Sequence, residues 1–166
     1  MAISVDQFKH GMRRLGGAVN IVTSSHDGIR AGLTATAVTS LSADPPRLLA
    51  CVNRQGATYD IISRGRTLAV NVLGVHHKDL AMRFAGMSGE PETERFDDGN
   101  WSSGADGAPI LDSALVSFDC EVDSIMDVGS HGIVIGNIRS VIIPEEENYS
   151  PLCYADGAWA KLENIE

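Results

Sequence analysis

The chain of 166 residues is short of positive charge. Thirteen Lys and Arg face 22 Asp and Glu, for a net charge of −9 at pH 7. Such a surface repels phosphate backbones, which argues against a nucleic-acid partner. No apolar run approaches the roughly 20 residues that a membrane-spanning helix needs, so no membrane partner is expected. The opening residues, Met1 to Asp6, lack the basic start and long apolar stretch of a secretory leader. Cysteine is scarce: Cys51, Cys120 and Cys153 are widely spaced and odd in number. A disulfide framework is not expected, and a reducing cytoplasm is the default compartment.

Several chemical motifs are also missing. There is no G-x-G-x-x-G and no G-x-x-x-x-G-K-[ST], so a dinucleotide would have to bind outside the Rossmann and P-loop modes. No H-E-x-x-H or C-x-x-C occurs. His76 and His77 are neighbours, whose side chains on a helix diverge; they are expected as exposed residues at a helix start, and no metal site is expected. The absence of G-x-S-x-G removes support for serine hydrolysis. Neither an internal repeat nor an interdomain linker is visible. A length of 166 residues with 43% hydrophobic and 21% charged residues fits one domain, 1–166.

What is present reads as a mainly β chain with a few flanking helices. Val5, Phe8, Met12 and Leu15 recur at helical spacing before Gly16-Gly17. Residues 18–24 read as a strand. His26-Asp27-Gly28 reads as a hairpin turn into one long strand over 31–42. Asp44-Pro45-Pro46 stops that strand, because proline donates nothing to a ladder. A buried strand follows over 48–53, a short helix over 58–64 with Gly65 as its stop, and a strand over 67–73. Residues 76–86 carry helical spacing. Residues 87–108 read as a long irregular loop pinned by Phe96 and Trp101. Residues 114–128 and 131–144 form a β pair joined near Gly129. A second hairpin signal, Asp156-Gly157, lies between 152–154 and 158–162. Glu145-Glu146-Glu147 reads as a solvated turn. Strands with short turns and few helices suggest an antiparallel barrel.

The stretch Gly32-Leu33-Thr34-Ala35-Thr36-Ala37-Val38-Thr39-Ser40-Leu41-Ser42-Ala43-Asp44-Pro45-Pro46 is unusual for a strand. Its side chains are nearly all small or hydroxylated. They fill a core poorly, but they let a flat ligand lie against the backbone and offer N–H and O–H donors. The same small residues would also suit a close strand crossing in a barrel.

This pattern resembles the signature of the flavin reductase-like family, whose fold is an FMN-binding split barrel. The likeness continues through Val19-Asn20-Ile21-Val22-Thr23, Val70-Asn71-Val72-Leu73, Leu80-Ala81 with Phe84-Ala85, Arg95-Phe96, Trp101, Phe118-Asp119-Cys120-Glu121-Val122, Gly129-Ser130-His131 and Pro151-Leu152 with Tyr154. It covers residues 8–162 in order. The chain most resembles the small NAD(P)H:flavin reductases that supply reduced flavin to two-component monooxygenases.

The resemblance implies a set of site residues. Thr34, Ala35, Thr36 and Ala37 would form a flat slot for the isoalloxazine ring. Ser40 and Ser42 could donate to the ribityl chain or the phosphate. Cys51, Asn53, Arg54, Ala57 and Thr58 form the next wall. There the Gly56-Ala57 pair is poorer in hydroxyls than the family pattern, so phosphate contact would rest on Arg54 and on N–H groups at the helix start. Cys51 itself, flanked by apolar residues, reads as an inert core thiol. Arg83-Phe84-Ala85 resembles the family's segment near the flavin, with Phe84 equally readable as core. Gly129-Ser130-His131 matches the family's Gly-Asp-His, in which the histidine lies near the nicotinamide. Ser130 departs from that pattern and removes a carboxylate beside His131. A neutral His131 can still hydrogen-bond a carboxamide, which assigns it to nicotinamide positioning.

The expected activity is an NAD(P)H:flavin oxidoreductase that transfers hydride from nicotinamide to flavin. FMN and FAD stay open as the flavin, as do NADH and NADPH as the co-substrate. A homodimer and a monooxygenase partner are implied by the same resemblance. Two rivals stand beside this reading: a flavoprotein reductase of another acceptor such as a corrinoid cobalt centre, and a non-enzymatic flavin-binding module.

Overall fold

The computed structural model describes residues 2–145 and 149–165. The expected turn at Glu145 to Glu147 falls largely outside them. Twelve strands and three α-helices are defined among these residues.

Ser4 opens helix α1 (Val5–Met12) with a reciprocal cap: its Oγ accepts from the Gln7 N–H at 3.1 Å, and Gln7 Oε1 accepts from the Ser4 N–H at 3.0 Å. None of its residues is buried. The apolar stripe expected from its spacing faces outward.

The main sheet has seven antiparallel strands. In chain order they are β2 (Asn20–His26), β3 (Ile29–Ala35), β4 (Val38–Ala43), β5 (Pro46–Asn53), β6 (Thr67–Val72), β9 (Val116–Val128) and β10 (His131–Ile142). Their order across the sheet is β3-β2-β6-β9-β10-β5-β4. Val22, Leu48, Val52, Leu68, Val70, Val122 and Val134 from five of these strands meet in one buried cluster. A flat sheet could not bring them together, so the sheet curls around its own apolar face. Its end strands β3 and β4 do not pair with each other, which leaves the barrel split. The smaller sheets are β1 (Gly17–Ala18) with β11 (Leu152–Ala155) and β12 (Ala158–Lys161), and β7 (Trp101–Ser103) with β8 (Pro109–Leu111).

Asn71, fully buried on β6, ties these layers together. Its amide donates to the Ile21 carbonyl at 3.1 Å, and its oxygen accepts from the Leu111 N–H at 2.9 Å and the Ser117 hydroxyl at 2.8 Å. One side chain thereby satisfies buried groups from β2, β8 and β9, which would otherwise stay unpaired at a cost.

Both hairpin signals are borne out. Asp27 and Gly28 take positive φ (49° and 77°), as do Asp156 and Gly157 (51° and 80°), the backbone that two-residue turns between twisted strands require. Other expectations need correction. The single strand over 31–42 is two strands, broken at Thr36 and Ala37. The ladder resumes at Pro46 itself, because a proline is tolerated as the first residue of a strand. β5 is not buried throughout. It alternates, with Leu48, Ala50 and Val52 inward.

Gly65 does not stop its helix. Helix α2 (Ala57–Gly65) includes it, and Arg66 takes the left-handed cap at φ 54°. A Cβ on Gly65 would lie 2.2 Å from the Ser25 carbonyl oxygen, so glycine is there to let the helix approach β2. Helix α3 (Lys78–Phe84) follows a 3-10 turn over Val75–His77. His77 is buried rather than exposed: its Nδ1 accepts from the Gly74 N–H at 3.0 Å, and its Nε2 meets the Ser113 hydroxyl at 2.9 Å. The segment 87–108 is not structureless; it holds a 3-10 helix, Glu92–Asp97, and β7. It is pinned as expected. Phe96 and Trp101 pack against Phe84 with ring centroids 5.0 and 5.4 Å away.

Candidate functional site

The break at Thr36 and Ala37 turns the chain from one edge of the sheet to the other and leaves a cleft beside it. The cleft has a volume of about 460 Å³. One wall is Thr34, Ala35, Thr36 and Ala37. Joined to it by the Cys51 N–H, which donates to the Ala37 carbonyl at 2.9 Å, are Cys51 and Asn53 at the end of β5, with His131 at the start of β10. Antiparallel register pairs His131 directly with Asn53, which brings both to the mouth. Phe84 and Ala85 from the end of α3 close the third side, with Glu92 and Arg95 from the 3-10 helix.

The polar groups are deployed unevenly. The Thr34 hydroxyl donates to the Ala81 carbonyl at 2.6 Å and so holds α3 against β3. Among the described residues, no carbonyl or side chain accepts from the Thr36 or Ala37 N–H. Ser130 Oγ lies 2.8 Å from His131 Nδ1. When Ser130 donates, the proton of the neutral imidazole resides on Nε2, the nitrogen free of that contact. Arg95 donates from Nη1 to the Gly32 carbonyl at 3.0 Å, and its Nη2 lies 3.5 Å from Glu92 Oε1. Its Nε is buried without a partner among the described residues.

Eight expected site residues thus come together: Thr34, Ala35, Thr36, Ala37, Cys51, Asn53, Phe84 and His131. The others lie elsewhere. Ser40 and Ser42 line a second cavity of about 520 Å³, with Asn20, Arg47, Val70 and Phe118. Thr36 borders both cavities, so the corner is the partition between them. Arg83 lies 3.4 Å from Glu90 Oε1 and donates to the Glu94 carbonyl at 3.4 Å, which fastens the 87–108 segment. Ala57 begins α2, whose Gly56 cap supplies no side-chain acceptor; Thr58 is buried on its inner face. Arg54 is paired with Asp127 at 2.9 Å. Cys51 is half-buried, at the cleft rather than in the core. Burial pushes the Cys120 thiol up to about 12, with the Asp119 charge adding to it, which leaves that thiol inert.

Glu92 and Arg95 were not anticipated as site residues. The sequence signal for them was the Arg95-Phe96 pair, which marks the family pattern without indicating which way the arginine points.

A profile of the flavin reductase like domain matches residues 12–163, nearly the whole chain. The chain belongs to the flavin reductase-like family. It is 44% identical over 150 residues, 90% of its length and 84% of the relative's, to a protein of Rhizobium rhizogenes named FMN reductase (NADH) RutF 2. Among solved structures it resembles nitrilotriacetate monooxygenase component B from Mycobacterium thermoresistibile, at a TM-score of 0.87 and 26% identity over 95% of this chain and 86% of that one. It also resembles BorF, the flavin reductase component of a bacterial two-component tryptophan halogenase. That match has a TM-score of 0.86 and 26% identity over 98% of this chain and all of that one. These neighbours place the split seven-stranded sheet among flavin reductase folds.

Proposed function

We propose that this chain is an NADH-dependent FMN reductase, with the cleft between Thr34–Ala37 and His131 as its flavin and nicotinamide site. The observation that carries the reading is the small-residue corner: a polar backbone edge, walls without bulk, and a histidine and an aromatic ring facing it in one cleft. These residues fit FMN. Ala35 and Ala37 leave room for a flat ring face. The free N–H groups of Thr36 and Ala37 suit the acceptor-rich pyrimidine edge. The start of α2, uncapped by any side chain, offers Ala57 and Thr58 N–H groups to a phosphate. Flavin bound there supplies a two-electron acceptor for the hydride of NADH.

The chain's own contribution is placement. His131 donates from Nε2 to the nicotinamide carboxamide and fixes its face. Phe84, held by Phe96 and Trp101, keeps the inner end of the cleft dry. No side-chain acid is needed for hydride transfer, only a near-attack separation of roughly 3–3.5 Å. The choice of FMN and NADH rests on the relative's name, FMN reductase (NADH). The further reading, supply of reduced flavin to a monooxygenase, rests on the likeness to a monooxygenase component B.

We read residues 1–166 as one such domain acting as a homodimer. Val5, Phe8, Met12 and Leu15 are all exposed. A groove lined by Phe8, Met12, Leu15 and Tyr154 runs to Thr36 and Ala37 at the cleft, so a second copy seated there would adjoin the flavin. No helix among the described residues is long and apolar enough to cross a membrane. Free cysteines at all three positions suit a cytoplasmic setting. Purified protein mixed with NADH and FMN should consume NADH, read as falling absorbance at the nicotinamide band. Absence of flavin-dependent consumption would refute the reading.

A further inference from the structure

Seven residues of chain, 53–59, meet the β9–β10 turn from one side. Asn53 pairs with His131 in the sheet. The Arg54 N–H donates to the Ser130 carbonyl at 3.0 Å. Its side chain donates from Nη1 to the Gly129 carbonyl at 3.1 Å, and Nη2 lies 2.9 Å from Asp127 Oδ2. The Tyr59 hydroxyl donates to the other carboxylate oxygen, Asp127 Oδ1. The edge of the Tyr59 ring abuts the next pair in the ladder: Gly132 opposes Asp127, and a Cβ on Gly132 would run into Tyr59 Cε2. Thus Asp127 is bonded at both oxygens and Arg54 at both terminal nitrogens. All of these contacts fall within four residues of His131.

We propose that Arg54, Tyr59 and Asp127 form a clamp that sets the position of His131, and that the Arg54 guanidinium serves this turn rather than the flavin phosphate. The inference rests on the nicotinamide role given to His131 above. A two-residue turn with Gly129 at φ 58° has little of its own to hold it. Without the clamp, the imidazole swings with the hairpin tip. A displacement of about 1 Å at a positioning group is enough to weaken a reaction that depends on alignment. Phosphate is left to the N–H groups at the start of α2, a site that does not require Arg54.

The test uses Arg54→Met, Asp127→Asn and Tyr59→Phe, with His131→Asn as reference. The last clamp variant keeps the ring on Gly132 and removes only the hydroxyl, so it carries the test if either of the others fails to fold. Three readouts are taken on the full chain: the His131 imidazole NMR signal, FMN and riboflavin affinity by fluorescence, and steady-state kinetics. The clamp predicts a shifted His131 signal and a KM for NADH raised about fivefold, with flavin affinity held within about twofold. An unmoved His131 signal overturns it. So does an Arg54→Met protein that loses FMN affinity while keeping riboflavin affinity, because Arg54 would then be the phosphate ligand. If the signal moves but NADH kinetics do not, in these variants and in His131→Asn alike, the clamp stands and the nicotinamide role fails.

Discussion

His77 shows how one residue turns burial into a pH response. Its Nδ1 accepts and its Nε2–H faces Ser113, so the neutral ring is the one the fold requires. Burial, with the neighbouring His76 charge adding to it, lowers its pKa from 6.5 to about 4. The folded state therefore binds fewer protons than the unfolded state between those values. Stability is complete above pH 6.5 and falls as pH drops toward 4. At pH 4.5 the loss from this one group is roughly 2–3 kcal/mol. Denaturant melts of the wild type and His77→Asn at pH 7.5 and pH 4.5 should show a smaller acid loss in the variant. An identical loss in both would remove His77 as its cause. That the pair His76-His77 opens a helical segment was legible, whereas its two rings do not diverge as expected but lie with centroids 3.8 Å apart. Its asymmetric burial was not legible, because which ring turns inward depends on Ser113, 36 positions away.

At the scale of elements, helix α2 is the informative case. Its extent, read as 58–64, was legible to within one residue at each end. The role of Gly65 was not: a glycine at a helix end ordinarily signals a left-handed cap, and here the adjacent Arg66 takes that conformation. Arg66 is compensated by donating from Nη2 to the Val122 and Asp123 carbonyls at 3.1 and 2.8 Å. Gly65 is needed where α2 crosses β2 at Ser25. Gly65→Ala should therefore cost more than the usual 1–3 kcal/mol of overpacking, since the opposing atom is backbone and cannot rotate away. Thermal denaturation checks this. Stabilisation by alanine, the result expected of an ordinary helix interior, would contradict the close approach.

At the scale of the whole molecule, the apolar outer face of α1 is the feature that the described chain leaves uncovered. Phe8 is 53% and Val5 66% exposed, on a helix with no buried residue. Burying such a face against a second copy is worth roughly 25 cal/mol per Å². Phe8→Asp should shift the protein toward monomer in light scattering while leaving its melting temperature at low concentration nearly unchanged, because Phe8 packs in no core cluster. A wild type that is already monomeric would refute the dimer. An unaltered dimer in the variant would move the interface away from α1.

The sequence by itself determined the long β9–β10 pair, both hairpin turns, the pinning aromatics and the family, because turn chemistry and motif order are local properties read a few residues at a time. It also singled out Thr34 to Ala37, Cys51, Asn53, Phe84 and His131, which line one cleft. Only the tertiary structure decided which donors that cleft could use. Ser40 and Ser42 fall in a second cavity because the strand breaks at Thr36 and Ala37, and β4 leaves on the far side of that corner. Arg54 is engaged by the Gly129 carbonyl, 75 residues along the chain, and Arg83 by the segment that follows α3. A cationic side chain goes to whichever acceptors folding brings within reach, whether far along the chain, as for Arg54, or in the adjoining segment, as for Arg83, and no local pattern records the choice.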